Sequence, residues 1–280
     1  MSDLSLQLQQ SHSQLPVSSY FDTTLFAREM ELIFAKGPRY VGHALSVPET
    51  GDYYALPQEQ GGRALVRNGT GIELISNVCR HRQALMLKGR GSLLGQGAAS
   101  AGGQIVCPLH RWTYSGVDAG GASGRLLGAP HFATDPCLNL HNYPLQEWNG
   151  LLFEANGRDV AQDLADLGPR AELDFGGYAL DHVEMHHCNY NWKTFIEVYL
   201  EDYHVGPFHP GLGNFVTCDD LRWEFQPQYS VQTVGVANRL GKAGSPVYER
   251  WHQQLLNYRR GEPPAQGAIW LTYYPHIMIE

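Results

Sequence analysis

The 280-residue sequence predicts an α+β protein in two parts, an all-β module followed by a section that mixes strands with one longer helix. Three observations predict it. From Tyr40 to about Phe153 the apolar residues come in short runs, such as Ala64-Leu65-Val66 and Ile72-Glu73-Leu74-Ile75, cut by Gly, Asn and Pro as strands and turns require. From Trp192 the period becomes helical, with Trp192, Phe195, Ile196, Tyr199 and Tyr203 on one face and Glu197, Glu201 and His204 on roughly the opposite one. Between the two sections, Val160, Leu164 and Leu167 mark a short helical linker that Gly168-Pro169 stops.

Taken in order, Thr24 to Ala35 carries Phe26, Met30, Ile33 and Phe34 near helical spacing, and Gly37-Pro38 ends that amphipathic helix. The divisions expected are an N-terminal segment and helix over 1–38, the β module over 39–156 and a third section over 157–280. In the third section, Asn189 or Asn191 is placed to cap a helix running from Trp192 to Val205. A strand is expected at Tyr229 to Val234, a polar segment from Pro246 to Gly261, and another strand from Ile269 to Ile279. The sequence stops directly behind that apolar run, where a strand would lose its partners, so the expectation is a fragment of a longer chain.

Lys and Arg number 20 against 28 Asp and Glu, and a net charge of −8 argues against nucleic acid or anionic membrane surfaces as partners. Met1 to Gln10 is polar, and no stretch approaches the roughly 20 apolar residues of a membrane span. Five cysteines, three of them widely spaced, suggest no disulfide framework. A cytoplasmic protein is expected, in which thiolates stay reduced and open to metal.

Two short arms carry the chemistry. Cys79-Arg80-His81 and Cys107-Pro108-Leu109-His110 together offer two thiolates and two imidazoles, the ligand set of a Rieske 2Fe-2S cluster, in which two His replace two Cys on one iron. Cys2His2 also binds structural zinc, but zinc fingers pair Cys with Cys and His with His, whereas each arm here is mixed. The longer phrases Asn77-Val78-Cys79-Arg80-His81-Arg82 and Cys107-Pro108-Leu109-His110-Arg111-Trp112-Thr113-Tyr114 resemble the cluster-binding loops of the Rieske non-heme iron oxygenases, the aromatic-ring-hydroxylating dioxygenase large (alpha) subunits. Arg111 sits where that family usually has Gly. The 25 residues between His81 and Cys107 exceed the usual gap, and the excess lies in the Gly/Ala/Ser-rich stretch Gly91 to Gly103, read as a flexible surface excursion.

A second motif follows. Pro210 pushes His209 towards an extended conformation, so that it can turn back towards His204 once Gly206-Pro207 has broken the helix. Glu201-Asp202-Tyr203-His204-Val205-Gly206-Pro207-Phe208-His209-Pro210, downstream of Asn191-Trp192-Lys193, resembles the same family's mononuclear iron motif. The resemblance implies that His204 and His209 are ligands of a mononuclear non-heme Fe(II). It implies that Glu201, rather than Asp202, links the two metal centres through hydrogen bonds. The family's third ligand is a carboxylate from farther along the chain, and no Asp or Glu here matches it, so it is expected beyond Glu280.

The resemblance further implies a Rieske domain joined to a helix-grip (Bet v1/START-like) catalytic domain, truncated here at its C-terminus. The implied activity is that of a terminal oxygenase using O2 to hydroxylate or oxidatively demethylate a small aromatic or quaternary-ammonium substrate. A homotrimer passing electrons between neighbouring subunits is implied too. Gly89-Arg90-Gly91 lacks the spacing of a dinucleotide fingerprint, so electrons are expected from a separate NAD(P)H-dependent reductase or a ferredoxin. The rival reading is an electron carrier or inactive binding module that keeps the cluster without oxygen chemistry. Tyr203, Phe208, Phe215, Trp223, Trp270 and Tyr273 are the aromatics that could line a substrate pocket.

Overall fold

The computed structural model describes residues 15–95, 100–117, 121–202, 204–209, 212, 216–236, 246–262 and 266–280. The readings made above for Met1–Gln10, Tyr203, Pro210, Phe215 and the middle of the Gly/Ala/Ser-rich stretch lie outside these residues. The chain divides into two compact units: Lys36–His187, and the N-terminal segment up to Ala35 together with Cys188–Glu280.

The first unit is built on three antiparallel sheets. The central one takes its strands in the order Asn142–Tyr143, Gly71–Ser76, Arg63–Asn68, Asp52–Ala55 and Arg90–Ser92. Because successive side chains of a strand point to opposite faces, Arg63–Asn68 feeds two cores. Ala64 and Val66 join Ile75 in a cluster that contains Cys79, Cys107, Trp112 and Tyr114. Leu65, paired with Leu74, joins Val41, Leu56 and Leu152 on the other side. A second sheet, Ser100–Ala101, Gln104–Val106, Thr113–Tyr114 and Leu126–Gly128, carries the Cys107–His110 arm between its two middle strands.

The Gly91–Gly103 stretch is more regular at its ends than its composition suggested. Arg90–Ser92 pairs with Asp52–Tyr54, and Leu93 is wholly buried, its N–H donating to the Gly51 carbonyl at 2.7 Å. Leu93 thus seats the start of the stretch in the core.

The segment expected to link the parts instead packs within this unit. Asp159 caps the single helical turn Val160–Asp163, and Val160, Leu164 and Leu167 are buried as their spacing predicts. Gln146 holds the segment from both sides, its amide donating to the Arg158 carbonyl at 2.7 Å and its oxygen accepting from Val160 N–H at 2.8 Å.

In the second unit, Asp22 caps a helix over Thr23–Glu29 that widens into a π-helical turn at Met30–Phe34, closed by the Ala35 N–H on the Met30 carbonyl. This helix belongs with the C-terminal section because Glu29 accepts from Lys193 Nζ at 2.6 Å and from Trp192 Nε1 at 2.9 Å. Lys193 is thereby the buried side chain of the helix Trp192–Tyr199, while Phe195, expected on the core stripe, is 42% exposed. The helix also ends at Leu200, earlier than expected. Gly206-Pro207 does not break it but sits inside a second short helix, Val205–Phe208, where an N-terminal Pro is tolerated.

A four-stranded antiparallel sheet follows, Val216–Phe225, Tyr229–Val236, Ala268–Tyr273 and Ile277–Ile279 in sequential order. The single strand expected from Ile269 to Ile279 is thus a hairpin, split at Tyr274-Pro275 where proline cannot donate to a ladder. The polar segment is a helix, Pro246–Tyr258, ended by Gly261 at φ 88° with its N–H on the Leu256 carbonyl. Pro at the start and Gly past the end were its legible signals.

Candidate metal centres

The two Cys/His arms are the same turn built twice. In each, the N–H four residues after the cysteine donates to the cysteine carbonyl: Gln83 to Cys79 and Arg111 to Cys107, both at 3.0 Å. In each, the cysteine N–H donates to the carbonyl of the following residue: Cys79 to Ala84 at 2.9 Å and Cys107 to Trp112 at 2.8 Å. The residue at the fourth position is left-handed both times, Gln83 at φ 56° and Arg111 at φ 60°. Arg111 therefore occupies a conformation that suits Gly, which accounts for the residue usual there in the family it resembles.

Asn77, fully buried, pins the first arm: its Oδ1 accepts from Leu87 N–H at 2.8 Å, and its Nδ2 donates to the Gly61 and Leu87 carbonyls. Removing left-handed strain at Arg111 costs no packing in the core. Arg111→Gly is expected to raise the unfolding midpoint of the cluster-loaded protein by about 2 °C, whereas Arg111→Val lowers it, because β-branching is worst at positive φ. Differential scanning calorimetry checks the order, and a Val variant at least as stable as the Gly variant contradicts it.

This geometry brings Cys79, His81, Cys107 and His110 together. The two sulfurs are buried, each cysteine 1% exposed, while His81 is half-buried and His110 exposed. The imidazole rings of His81 and His110 stand 4.6 Å apart, and Trp112 stacks on His81 at 5.0 Å with its ring 5° from parallel. Burial pushes the Cys107 thiol up, against the pull of the His110 and Leu109 backbone N–H groups, and the Cys79 thiol beside it adds to the rise. Desolvation, with His110 and Arg82 close by, lowers the His81 pKa and favours the neutral imidazole that binds metal. The Tyr114 hydroxyl accepts from Arg80 N–H at 3.1 Å and lies 3.5 Å from Cys79 Sγ. Burial first and Cys79 second raise its pKa, so the phenol keeps its proton for donation to a thiolate.

The donor set fits a 2Fe-2S cluster, and one observation says that something is owed to it: His81 Nδ1 is buried without a hydrogen-bond partner among the described residues. Among those residues no three His, Cys, Asp or Glu side chains converge on one point as a single ion would need. A binuclear cluster, taking two protein ligands on each iron, does not require such convergence.

The second motif assembles differently from the sequence expectation but brings its histidines together. His204 precedes the helix Val205–Phe208 and His209 follows it, with the His209 N–H on the Val205 carbonyl at 2.8 Å, and their rings lie 5.4 Å apart. Glu201 Oε1 is 2.5 Å from His204 Nδ1, which leaves His204 Nε2 as the nitrogen available to a metal. Its Oε2 accepts from the His204 N–H at 3.3 Å.

Both histidines and Glu201 line a cavity of about 180 Å³ that Asp202, Gln232 and Trp270 also line. Of the aromatics expected there, Trp270 is present, whereas Phe208 points outward at 76% exposure. Sequence reasoning passed over Asp202, which is 7% exposed and accepts from Gln232 Nε2 at 2.9 Å. Burial, then the Glu201 charge, raises its pKa.

Comparison with known proteins follows the same division. The Rieske [2Fe-2S] domain family matches residues 38–144, and the ring hydroxylating alpha subunit (catalytic domain) family matches residues 175–280. The chain is 59% identical to putrescine 2-hydroxylase of Ralstonia nicotianae (strain ATCC BAA-1114 / GMI1000), an alignment that takes in 100% of this chain and 73% of that protein. It is 59% identical to putrescine 2-hydroxylase of Bordetella bronchiseptica (strain ATCC BAA-588 / NCTC 13252 / RB50), over 96% of this chain and 63% of that one. The crystal structure of a quaternary ammonium Rieske monooxygenase superposes with a TM-score of 0.63 at 24% identity, covering 80% of this chain and 62% of that chain. The fold is thus shared, and the chain spans roughly two thirds of the length of these relatives.

Proposed function

Because this chain belongs to the Rieske non-heme iron oxygenases, we propose that it is the terminal oxygenase of a system that hydroxylates a small aliphatic amine with O2. Its two domains are those of a Rieske 2Fe-2S cluster and a mononuclear non-heme iron, the first supplying electrons singly and the second activating dioxygen when bound. In this reading Cys79, His81, Cys107 and His110 hold the cluster, and His204 and His209 hold the iron.

The chain's own side chains set the terms. The buried Cys79 and Cys107 would hold a cluster away from water, and the exposed His110 would give electrons a route at the surface. Glu201 fixes the tautomer and orientation of His204 through Nδ1. The observation that carries the oxygenase over the carrier reading is the pairing of His204 and His209 beside a cavity, which a carrier has no use for. Among the described residues no helix is long and apolar enough to cross a membrane.

An amine substrate is favoured by the two putrescine 2-hydroxylases at 59% identity. The cavity supports it, since among the described residues its charged lining, Glu201, Asp202 and Glu280, is acidic and includes no Lys or Arg. A separate reductase or ferredoxin supplies the electrons, and electron transfer crosses between the subunits of a trimer. The test is turnover of the full-length iron-loaded protein with a reductase, NADH, ¹⁸O2 and putrescine. One ¹⁸O per product molecule by mass spectrometry is expected. NADH oxidation without oxygen incorporation into putrescine, or into any of a panel of amines and betaines, defeats the reading.

A further inference from the structure

The amine reading leaves open which group holds the charged end of the substrate, and the cavity beside His204 contains a side chain with a bonding site to spare. Asp202 is 93% buried by its 7% exposure, and only one of its carboxylate oxygens is used: Oδ1 accepts from Gln232 Nε2 at 2.9 Å. The other, Oδ2, is buried and has no hydrogen-bond partner among the described residues. A buried carboxylate oxygen without a donor is costly, so a native fold retains one where a donor arrives from outside.

The surroundings say what kind of donor. Asp202 shares the cavity with Glu201 and Glu280, and among the described residues no Lys or Arg lines it. Trp270, 7% exposed, faces the same space across the sheet, directly opposite Gln232 in the register, and its Nε1 is also without a partner among the described residues. Asp202, Gln232 and Trp270 thus form one layer of the wall. The indole N–H is a donor and cannot receive an ammonium, so the cationic end falls to the Asp202 oxygen, with the indole ring beside it.

We propose that Asp202 is the substrate-anchoring residue of this site, its Oδ2 accepting hydrogen bonds from the primary ammonium group of an aliphatic amine while His204 and His209 hold the iron on the neighbouring wall. This rests on the amine-oxygenase reading above. It differs from the role of Glu201, whose carboxylate is engaged with His204. It also separates two adjacent carboxylates by task, one orienting a ligand and the other binding substrate.

The experiment is anaerobic titration calorimetry on the full-length, iron-loaded protein with putrescine, 1-aminobutane and 1,4-butanediol, together with metal analysis of each variant. Wild type should bind both amines at least ~10-fold tighter than the neutral diol, since a hydrogen bond to a charged group is worth roughly 1.5–3 kcal/mol. Asp202→Asn should weaken both amines about 10- to 100-fold, leave the diol within twofold and retain full iron, while Asp202→Glu recovers part of the loss. Amine affinity in Asp202→Asn within twofold of wild type overturns the anchor and leaves the amine reading standing. Loss of iron in that variant also overturns it, because Asp202 would then be acting at the metal. If wild type binds none of the amines, the amine reading falls and takes the anchor with it. If Asp202→Asn does not fold, the wild-type contrast between 1-aminobutane and 1,4-butanediol decides, and equal affinities overturn the proposal.

Discussion

Replacing Cys107 by Ser is expected to yield protein without the visible absorption of a 2Fe-2S cluster, with cluster content below about a tenth of wild type and oxygen-coupled turnover lower by about 10³-fold or more. Cys107 is at once a ligand and a core residue. Its side chain is 1% exposed within the cluster formed by Ile75, Cys79, Leu93, Ile105, Trp112 and Tyr114. The serine oxygen is nearly isosteric, so packing changes little, but it is a harder and less acidic donor and a poor substitute for thiolate towards iron. Without the cluster, the two arms keep their turns but lose the bond that joins them, and His81 Nδ1 stays buried with no partner among the described residues. The holo-protein's unfolding midpoint should therefore fall as well. Cys137→Ser supplies the control: Cys137 is exposed, and its variant should keep wild-type cluster content and stability. Equal cluster absorbance in Cys107→Ser and wild type, at matched iron and sulfide, would remove Cys107 from the ligand set.

What the sequence made legible here is what short-range geometry determines. Each arm's Cys and His lie two or three residues apart, so one turn places both, and no long-range packing had to be guessed. The short apolar run Ala64-Leu65-Val66 likewise announced a strand, and the structure shows it feeding a core on each side. The left-handed positions at Gln83 and Arg111 were hidden because neither is Gly, the residue that usually advertises positive φ. Residues whose fate depends on distant partners were misjudged in a consistent way. Lys193 reads as a surface charge until Glu29, 164 residues away, takes it into the interior. Phe195 reads as core but is partly exposed. Between Glu201 and Asp202, the resemblance to the family's iron motif picks the first, and Glu201 is the one in contact with His204 Nδ1. Nothing in the spacing says that Gln232, on a strand 30 residues later, will bury the second.

Glu201→Gln should leave both metals bound and yet slow oxidation of the reduced cluster about 10- to 100-fold in a single-turnover experiment, the range typical when a partner behind a metal ligand is altered. The amide is the same size and can still accept from His204 Nδ1–H, so the ring need not move and iron binding through Nε2 survives. What disappears is the negative charge. A carboxylate hydrogen bond is roughly twice as strong as a neutral one, and it raises the basicity of the histidine that it orients. Glu201 is also only partly shielded, its side chain 39% exposed, so a second donor from another subunit could reach its carboxylate. If that donor is a cluster histidine of a neighbouring subunit, the charge stabilises N–H protons on both sides of the junction, and its loss should act on electron transfer rather than on substrate affinity. The readout therefore pairs two measurements on the same sample: the rate of cluster reoxidation followed by its absorbance, and substrate affinity by titration. A slowed rate with unchanged affinity places Glu201 on the electron path. An unchanged rate, with iron and cluster both at wild-type content, sinks that role and confines Glu201 to holding His204.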